Sequence, residues 1–363
     1  MATTYGNNLK ISVYGGSHDE EIGVKASGLP EDETFDLDRL LAFMKRRAPG
    51  NARFATARKE PDTPVFVSGV TDGHSLDGSE FHAVIKNTNA HSSDYKNLSD
   101  IPRPSHADYP ARVKYGEGVD LRGGGHFSGR LTAPLCIVGG ICLQILEKRG
   151  IKIAAHIYSV KNCKDTAFDP CGVCEKDFDA LSLRAFPTLS ETAEKQMLEV
   201  IEAARLSGDS VGGVIECAVI GLPVGIGEHM FSGLEGRISS ILFSIPAVKG
   251  VEFGNGFECA SLLGSENNDP FYVDNGEIKT RTNNCGGILG GMSNGMPLIF
   301  RAAFKPTPSI AKEQDSVDLS TLENTKLIIK GRHDPCVVPR AVPVVEAAAA
   351  IAILDAILDA KAE

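Results

Sequence analysis

Three histidine-bearing stretches are the first candidates for chemistry. "GGSHDE" carries His18, "RPSHADY" carries His106, and "GRHDPC" carries His333 and Asp334. Each sets an ionisable group beside glycine or proline and pairs it with serine, arginine or aspartate, groups that position a proton carrier or shift its pKa. A single loop histidine is more often a structural hydrogen-bonder, so the acid–base reading rests on the set. A fourth stretch, "RGGGHFSGRLT" at residues 122–132, puts three glycines between Arg122 and His126, with Ser128, Arg130 and Thr132 following at alternate positions. Glycine admits positive φ and close backbone approach. Arginine, serine and bare N–H groups together suit an oxyanion, usually phosphate. The usual nucleotide signatures do not fit, because Ser128 stands where GxGxxG needs its last glycine and GxxxxGK[ST] does not occur. Finally, "KRRAPGNARFATARKE" holds Lys45, Arg46, Arg47, Arg53, Arg58 and Lys59. A charge run is commonly a solvated face. Without repeated stacking aromatics, this one favours a small anionic substrate over nucleic acid.

The composition limits the partners. The chain has 363 residues, 42% hydrophobic and 23% charged, and a net charge of −10. That balance excludes a general nucleic-acid or membrane-surface binder and confines any anion site to a local basic pocket. The 38 glycines imply many tight turns. Nine cysteines with no signal peptide imply reduced thiols and a cytoplasmic protein. Cys171 and Cys174 form a CxxC, but no second CxxC lies nearby, so no metal is expected. The apolar tract "AVPVVEAAAAIAILDAILDA" contains Glu346, Asp355 and Asp359, too many charges for a membrane span.

The elements that must position these groups are legible in part. Helical periodicity or end signals mark "FDLDRLLAFMKRRAPG", residues 133–149 between Pro134 and Gly150, "TLSETAEKQMLEVIEAARLSG" with a Thr188–Glu191 capping box, and "SGLEGRISSILFSIP" with Ser232 and Glu235. A last helix runs from about Pro339 to Ala360. It and the 133–149 helix lack a polar face over most of their length, so both should be buried. Strands are expected at "KISVYGG", "PVFVSGV", "FHAVIKN", "KIAAHIYSV", "GGVIECAVIGLP" and "PLIFRAAFKP", several alternating as half-exposed antiparallel strands do. Apolar helices with one-faced strands predict an α+β fold with a helical layer between sheets. No linker divides the chain, so one domain spanning residues 1–363 is expected, with 161–187 as an irregular excursion.

In order along the chain, "GGSHDEEIGV", "RRAPGNARFATARKEPD", "RPSHADY", "RGGGHFSGRLTAP", "SIPAVKGVEFGNGF", "GGILGGMSNGMPLIFRAAFKPTPSI" and "GRHDPCVVPRAVPVVEA" resemble the motif blocks of the chorismate synthase family. The resemblance implies a β-α-β sandwich assembled as a homotetramer. It also implies the last step of the shikimate pathway, a 1,4-elimination of phosphate from 5-enolpyruvylshikimate 3-phosphate. The family requires reduced FMN without net redox change, with NADPH as an indirect reductant; no reductase domain is visible, so an external flavin reductant is expected.

Residue by residue, the resemblance implies His18 as proton donor to the departing phosphate, His106 as proton source beside the flavin, and Asp334 as the acid near the flavin nitrogen. Arg47 and Arg53 match positions that bind substrate or nicotinamide nucleotide, and Arg130 and Arg340 are further candidates for the substrate's anions. FMN contacts are implied at His126, Phe127, Ser128, Pro246, Ala247, Gly290, Lys305, Pro306, Thr307, Pro308, Ser309 and Arg332, with the three glycines admitting the flavin. The chain departs from the common pattern at Gly16 and Asp19 (GESHG), at Ser105 for glycine and at His126 for arginine. Two other readings stand beside this one: a non-catalytic flavin- or anion-binding paralogue, and a nicotinamide-dependent flavin reductase.

Overall fold

The computed structural model describes residues 2–48, 62–87, 100–329 and 334–360. Two five-stranded antiparallel sheets enclose a layer of helices. The first sheet runs Ala2–Tyr5, Lys10–Gly15, Glu21–Ser27, Phe81–Lys86, Val65–Ser68 in spatial order. The second runs Val248–Phe253, Leu298–Phe304, Gly213–Ile220, Lys152–Val160, Cys163–Lys164. Period-two patterning sets their faces: Ile22, Val24 and Ala26 are buried while Lys25 and Ser27 are exposed.

The helices, in chain order, are α1 (Leu37–Arg47), α2 (Asp108–Tyr115), α3 (Thr132–Lys148), α4 (Glu175–Ser182), α5 (Glu191–Leu206), α6 (Leu234–Ser244), α7 (Gly264–Asn267) and α8 (Val338–Ala360). α3 lies against the first sheet and α8 against the second, and the two pack on each other. Both are long and apolar enough to cross a membrane, yet here they fill the interior between the sheets. Their contact depends on Gly139. A Cβ there would lie 2.3 Å from Ala347 Cβ, and one at Gly140 would lie 2.6 Å from Leu40 of α1. Two glycines inside a helix cost roughly 1 kcal/mol each relative to alanine. The close approach of two neighbouring helices is what they permit.

The acids of α8 are structural clamps. Buried Glu346 receives both Arg46 Nη1 and Nη2 (2.7 and 2.9 Å) and the Ala155 amide (3.0 Å). Asp355 accepts the amides of Asn7, Asn8 and Leu9 and a guanidinium N–H of Arg237. These hydrogen bonds satisfy charges that burial would otherwise penalise by several kcal/mol.

The structure corrects two caps. α5 is capped by Ser190, whose hydroxyl accepts from Ala193 N, whereas Thr188 Oγ1 is buried without a partner among the described residues. α6 starts from Gly233 with no side-chain cap, and Ser232 instead gives its backbone carbonyl to Arg237 Nε. The 161–187 excursion contains α4, and Phe168, Phe178 and Leu181 cover the outer face of the second sheet at Ala154, Ala218 and Ile299.

Candidate active site

The site is built at the edge of the helical layer. A cavity of about 690 Å³ is lined by the last residue of α1, the glycine-rich turn, the Ser244–Lys249 segment, the Lys305–Ser309 segment and the start of α8. Among the described residues its wall carries Arg47, Arg103, Arg130, Arg340, Lys249 and Lys305, with Asp334 as the carboxylate. On a chain of net charge −10, this is a local positive well that attracts anions.

The glycine-rich turn separates the two histidines. Gly123, Gly124 and Gly125 have φ of 56°, 96° and 51°, all in territory that L side chains avoid. A Cβ at Gly123 would lie 2.4 Å from His18 Cε1, and one at Gly124 would lie 3.4 Å from His106 Nε2. At Gly125 the clash would be with the Asp120 carbonyl, at 2.1 Å. Gly123 therefore makes room for His18, while a Cβ at Gly124 would stand at contact distance from His106. His106 lines the cavity, whereas His18 stands just outside its wall, in contact with Gly123. The Ser17 hydroxyl donates to the Arg122 carbonyl (2.9 Å), so at 3.0 Å it accepts from His18 Nδ1. That assigns a proton to Nδ1 of His18.

His106 belongs to a buried network. Its Nδ1 lies 2.6 Å from Asp108 Oδ1, and Arg103 donates to Asp108 through its backbone N, Nε and Nη2 at 3.0, 2.7 and 2.7 Å. Burial pushes the Asp108 carboxyl up, but hydrogen bonds from Arg103 and His106 outweigh it and hold the group well below the usual carboxylate range. Lys305 Nζ donates to the Ser105 carbonyl and Lys305 N to the Ala247 carbonyl (2.9 Å), so three distant segments meet here. Burial first, and then nearby Lys249, lower the Lys305 pKa.

The arginines are held by few acids. Asp62, 1% exposed, accepts Arg47 Nη1 on one oxygen and Arg130 Nη1 on the other. Arg47 also donates to Thr132 Oγ1 (3.1 Å), and Arg130 to Asn87 Oδ1 (3.1 Å). Arg340 pairs with Asp334 and donates to the Arg47 carbonyl (3.1 Å). Burial, chiefly, lowers its pKa despite Asp334.

Most residues singled out from the sequence converge here. Arg47, Arg130, Arg340, His106, Asp334, His126, Phe127, Ser128, Pro246, Ala247, Lys305, Thr307, Pro308 and Ser309 all line the cavity. Pro306 does not, since it is exposed between wall residues. Gly290 is also outside the wall. It precedes Gly291, whose carbonyl accepts Leu234 N at the start of α6, while Phe243 and Ser244 at the other end of that helix reach the cavity. Arg53, Arg332 and His333 fall outside the described residues. Arg103, Asp108, Asp62 and Lys249 were not singled out. For Arg103 and Asp108 a signal existed: both flank His106 in "RPSHADY".

A chorismate synthase family model matches residues 9–358. The chorismate synthase of Lancefieldella parvula is 45% identical over 98% of this chain and 96% of its own. That of Thermococcus gammatolerans is 44% identical over 98% of each. The chain belongs to the chorismate synthase family. A solved crystal structure of a chorismate synthase superposes with a TM-score of 0.77 at 27% identity, covering 98% of this chain and 93% of its own, so the fold is that of the family.

The departures from the commoner chorismate synthase pattern acquire a physical meaning. Ser105 holds φ 60°, a conformation that the glycine of the pattern adopts without strain. Gly16 and Asp19 are neighbours: a Cβ at position 16 would meet the exposed Asp19 carboxylate at 3.1 to 3.3 Å. His126 turns Nδ1 to the Gly15 carbonyl (2.8 Å).

Proposed function

We propose that the protein is a chorismate synthase that converts 5-enolpyruvylshikimate 3-phosphate to chorismate by 1,4-elimination of phosphate, with reduced FMN bound in the cavity beside the substrate. The observation that carries this reading is the wall of four arginines and two lysines bordered by His18 and His106. A substrate with two carboxylates and a phosphate, next to a flavin phosphate, needs a surplus of cations, and these six outnumber the acids Asp62, Asp108 and Asp334 that pair with them. The residues suit a flavin mononucleotide. Thr307 Oγ1 is buried in the Lys305–Ser309 segment without a partner among the described residues, and Phe127, Pro246, Ala247 and Pro308 add apolar surface among the cations.

Reduced FMN, when bound, would lend an electron to the substrate and recover it, which explains a redox cofactor in a reaction without net redox change. The chain's own groups do the rest. Arg47, Arg130 and Arg340 bind and orient the anions, and their tethering by Asp62 and Asp334 fixes that geometry in advance. His18 protonates the departing phosphate, a task for which imidazole is the side chain whose charge changes nearest neutral pH. His106 maintains the proton inventory beside the ring system. Asp334, in the wall, accepts as a proton the hydrogen lost from the substrate, while its electron is the one recovered.

The same reading makes the protein a cytoplasmic homotetramer of single-domain chains, served by an external, NADPH-linked flavin reductant. Strongly exposed Phe231 and Phe257 offer apolar area for self-assembly. The test is turnover under anaerobic conditions with photoreduced FMN and 5-enolpyruvylshikimate 3-phosphate, with and without NADPH. Chorismate and inorganic phosphate should appear in equal amounts, without NADPH. Absence of chorismate while substrate and flavin bind would sink the proposal in favour of a non-catalytic paralogue, and NADPH oxidation without chorismate would favour a flavin reductase.

A further inference from the structure

We propose that Asp108 is a positioning residue for the elimination: together with Arg103 it fixes the His106 ring with its proton on Nδ1 and Nε2 directed to the glycine-rich turn. The proposal rests on the chorismate synthase reading for its kinetic consequence, but its structural content stands independently.

The geometry decides the tautomer. Asp108 Oδ1 lies 2.6 Å from His106 Nδ1, a separation at which an unprotonated nitrogen would set its lone pair against an ionised oxygen. Arg103 Nη2 also approaches Nδ1, at 3.1 Å, and it donates to the same Oδ1 at 2.7 Å. Arginine has no acceptor to offer. An unprotonated Nδ1 could accept from Nη2, but the 2.6 Å approach to Oδ1 is the shorter contact and demands a proton between nitrogen and carboxylate. Arg103 and His106 are therefore read as two donors on one carboxylate oxygen. The other oxygen is occupied by Arg103 N and Nε at 3.0 and 2.7 Å, so the carboxylate cannot rotate without losing charge-assisted bonds. Asp108 and Arg103 are 2% and 4% exposed, so these bonds act away from bulk solvent.

Local structure supports the assignment. Asp108 is the first residue of α2, where the helix N-terminus favours an anion, and the preceding Ala107 supplies no side-chain cap. Pro110 fits the first turn because its missing N–H has no helical partner there. The strained Ser105 (φ 60°), held by Lys305 through its carbonyl, sets the entry into this helix and thereby the place of His106 between them. On the far side of the ring, Nε2 faces Gly124, whose lack of a side chain keeps that nitrogen uncovered: a Cβ would sit 3.4 Å away. The neutral ring thus presents Nε2 as an acceptor, and the protonated ring presents a donor in the same direction. This is the requirement for a group that must both hold and release a proton at one fixed atom.

The test begins with nitrogen-15 NMR of histidine-labelled protein, with His106 assigned through His106→Gln. It needs neither substrate nor flavin. At a pH where the ring is neutral, the wild type should carry its proton on Nδ1. A proton on Nε2 overturns the proposal whether or not the protein makes chorismate. Conversely, the expected tautomer in a protein that makes no chorismate counts against the proposed function alone. In Asp108→Asn the carboxamide can donate to Nδ1, so the ring proton should move to Nε2; an unchanged tautomer overturns the proposal. In turnover assays, Asp108→Asn should lower kcat by about 10²-fold or more with KM altered less than about threefold. Asp108→Glu, which keeps the charge, should recover at least about a tenth of wild-type kcat. A kcat for Asp108→Asn within about threefold of wild type, or a loss confined to KM, contradicts a positioning role.

Discussion

Gly123→Ala tests whether the glycine-rich turn exists to seat His18. The new methyl would lie 2.4 Å from His18 Cε1 and 2.9 Å from both His18 Nδ1 and Ser17 Oγ. Its backbone, at φ 56° and ψ 13°, is left-handed, which costs an alanine about 1–2 kcal/mol. Forcing a methyl into a filled space adds about 1–3 kcal/mol, for a total near 2–5 kcal/mol. With an unfolding entropy of about 2.1 cal/mol/K per residue over 363 residues, the melting midpoint should fall by about 3–7 °C. The ring can relieve the clash only by moving and giving up its bond to Ser17, so kcat should fall at least about tenfold even at temperatures where the variant is folded. Gly129→Ala is the control for stability, since a Cβ there meets nothing within 4 Å and its φ is not positive. Scanning calorimetry and steady-state turnover give both numbers. Equal midpoints for Gly123→Ala and Gly129→Ala, with kcat preserved in the first, would refute the reasoning.

Ser105→Gly should raise stability by about 1 kcal/mol through relief of the left-handed serine, read as a higher denaturant midpoint at unchanged m-value; a lower midpoint would show that the serine hydroxyl contributes more than the strain costs. Arg47→Ala should raise the apparent KM for substrate far more than it lowers kcat, and an unchanged KM would exclude Arg47 from ground-state binding. His156, completely buried, lies 3.1 Å from Asp165 and 2.9 Å from Glu216; burial opposes its charge, but these two carboxylates prevail and raise its pKa. The stability it contributes is fully present below the unfolded value of about 6.5 and is lost as pH rises through the higher folded value. Melting midpoints measured across that window should therefore decline in the wild type more than in His156→Gln, and parallel curves would contradict the linkage.

The fold was legible where one segment carries its own evidence. α3 and α8 declare burial by lacking a polar face, and Lys152–Val160 and Leu298–Phe304 follow their apolar runs closely. α2 was not, because eight residues with Pro110 and a modest apolar stripe leave no period to read. The Thr188–Glu191 spacing looks like a capping box, yet Ser190 is the residue whose hydroxyl reaches an open helical N–H. The site divides in the same way. Histidines and the triple glycine advertise themselves locally, whereas Asp62 joins Arg47 to Arg130 across 15 and 68 residues of sequence, a relation that only tertiary packing creates. The glycines themselves had a local rationale that was incomplete: positive φ could be anticipated, but their contacts with His18 and His106 could not.

The most direct measurement of the central claim is an experimental structure of the protein with oxidised FMN and 5-enolpyruvylshikimate 3-phosphate. The account predicts both molecules in the cavity lined by Arg47, Arg130 and Arg340, with substrate anions on those guanidinium groups, the departing phosphate facing His18, and the flavin beside His106 and Asp334. Substrate bound elsewhere, or lying in the cavity with its phosphate turned away from His18 and from all three arginines, would contradict it.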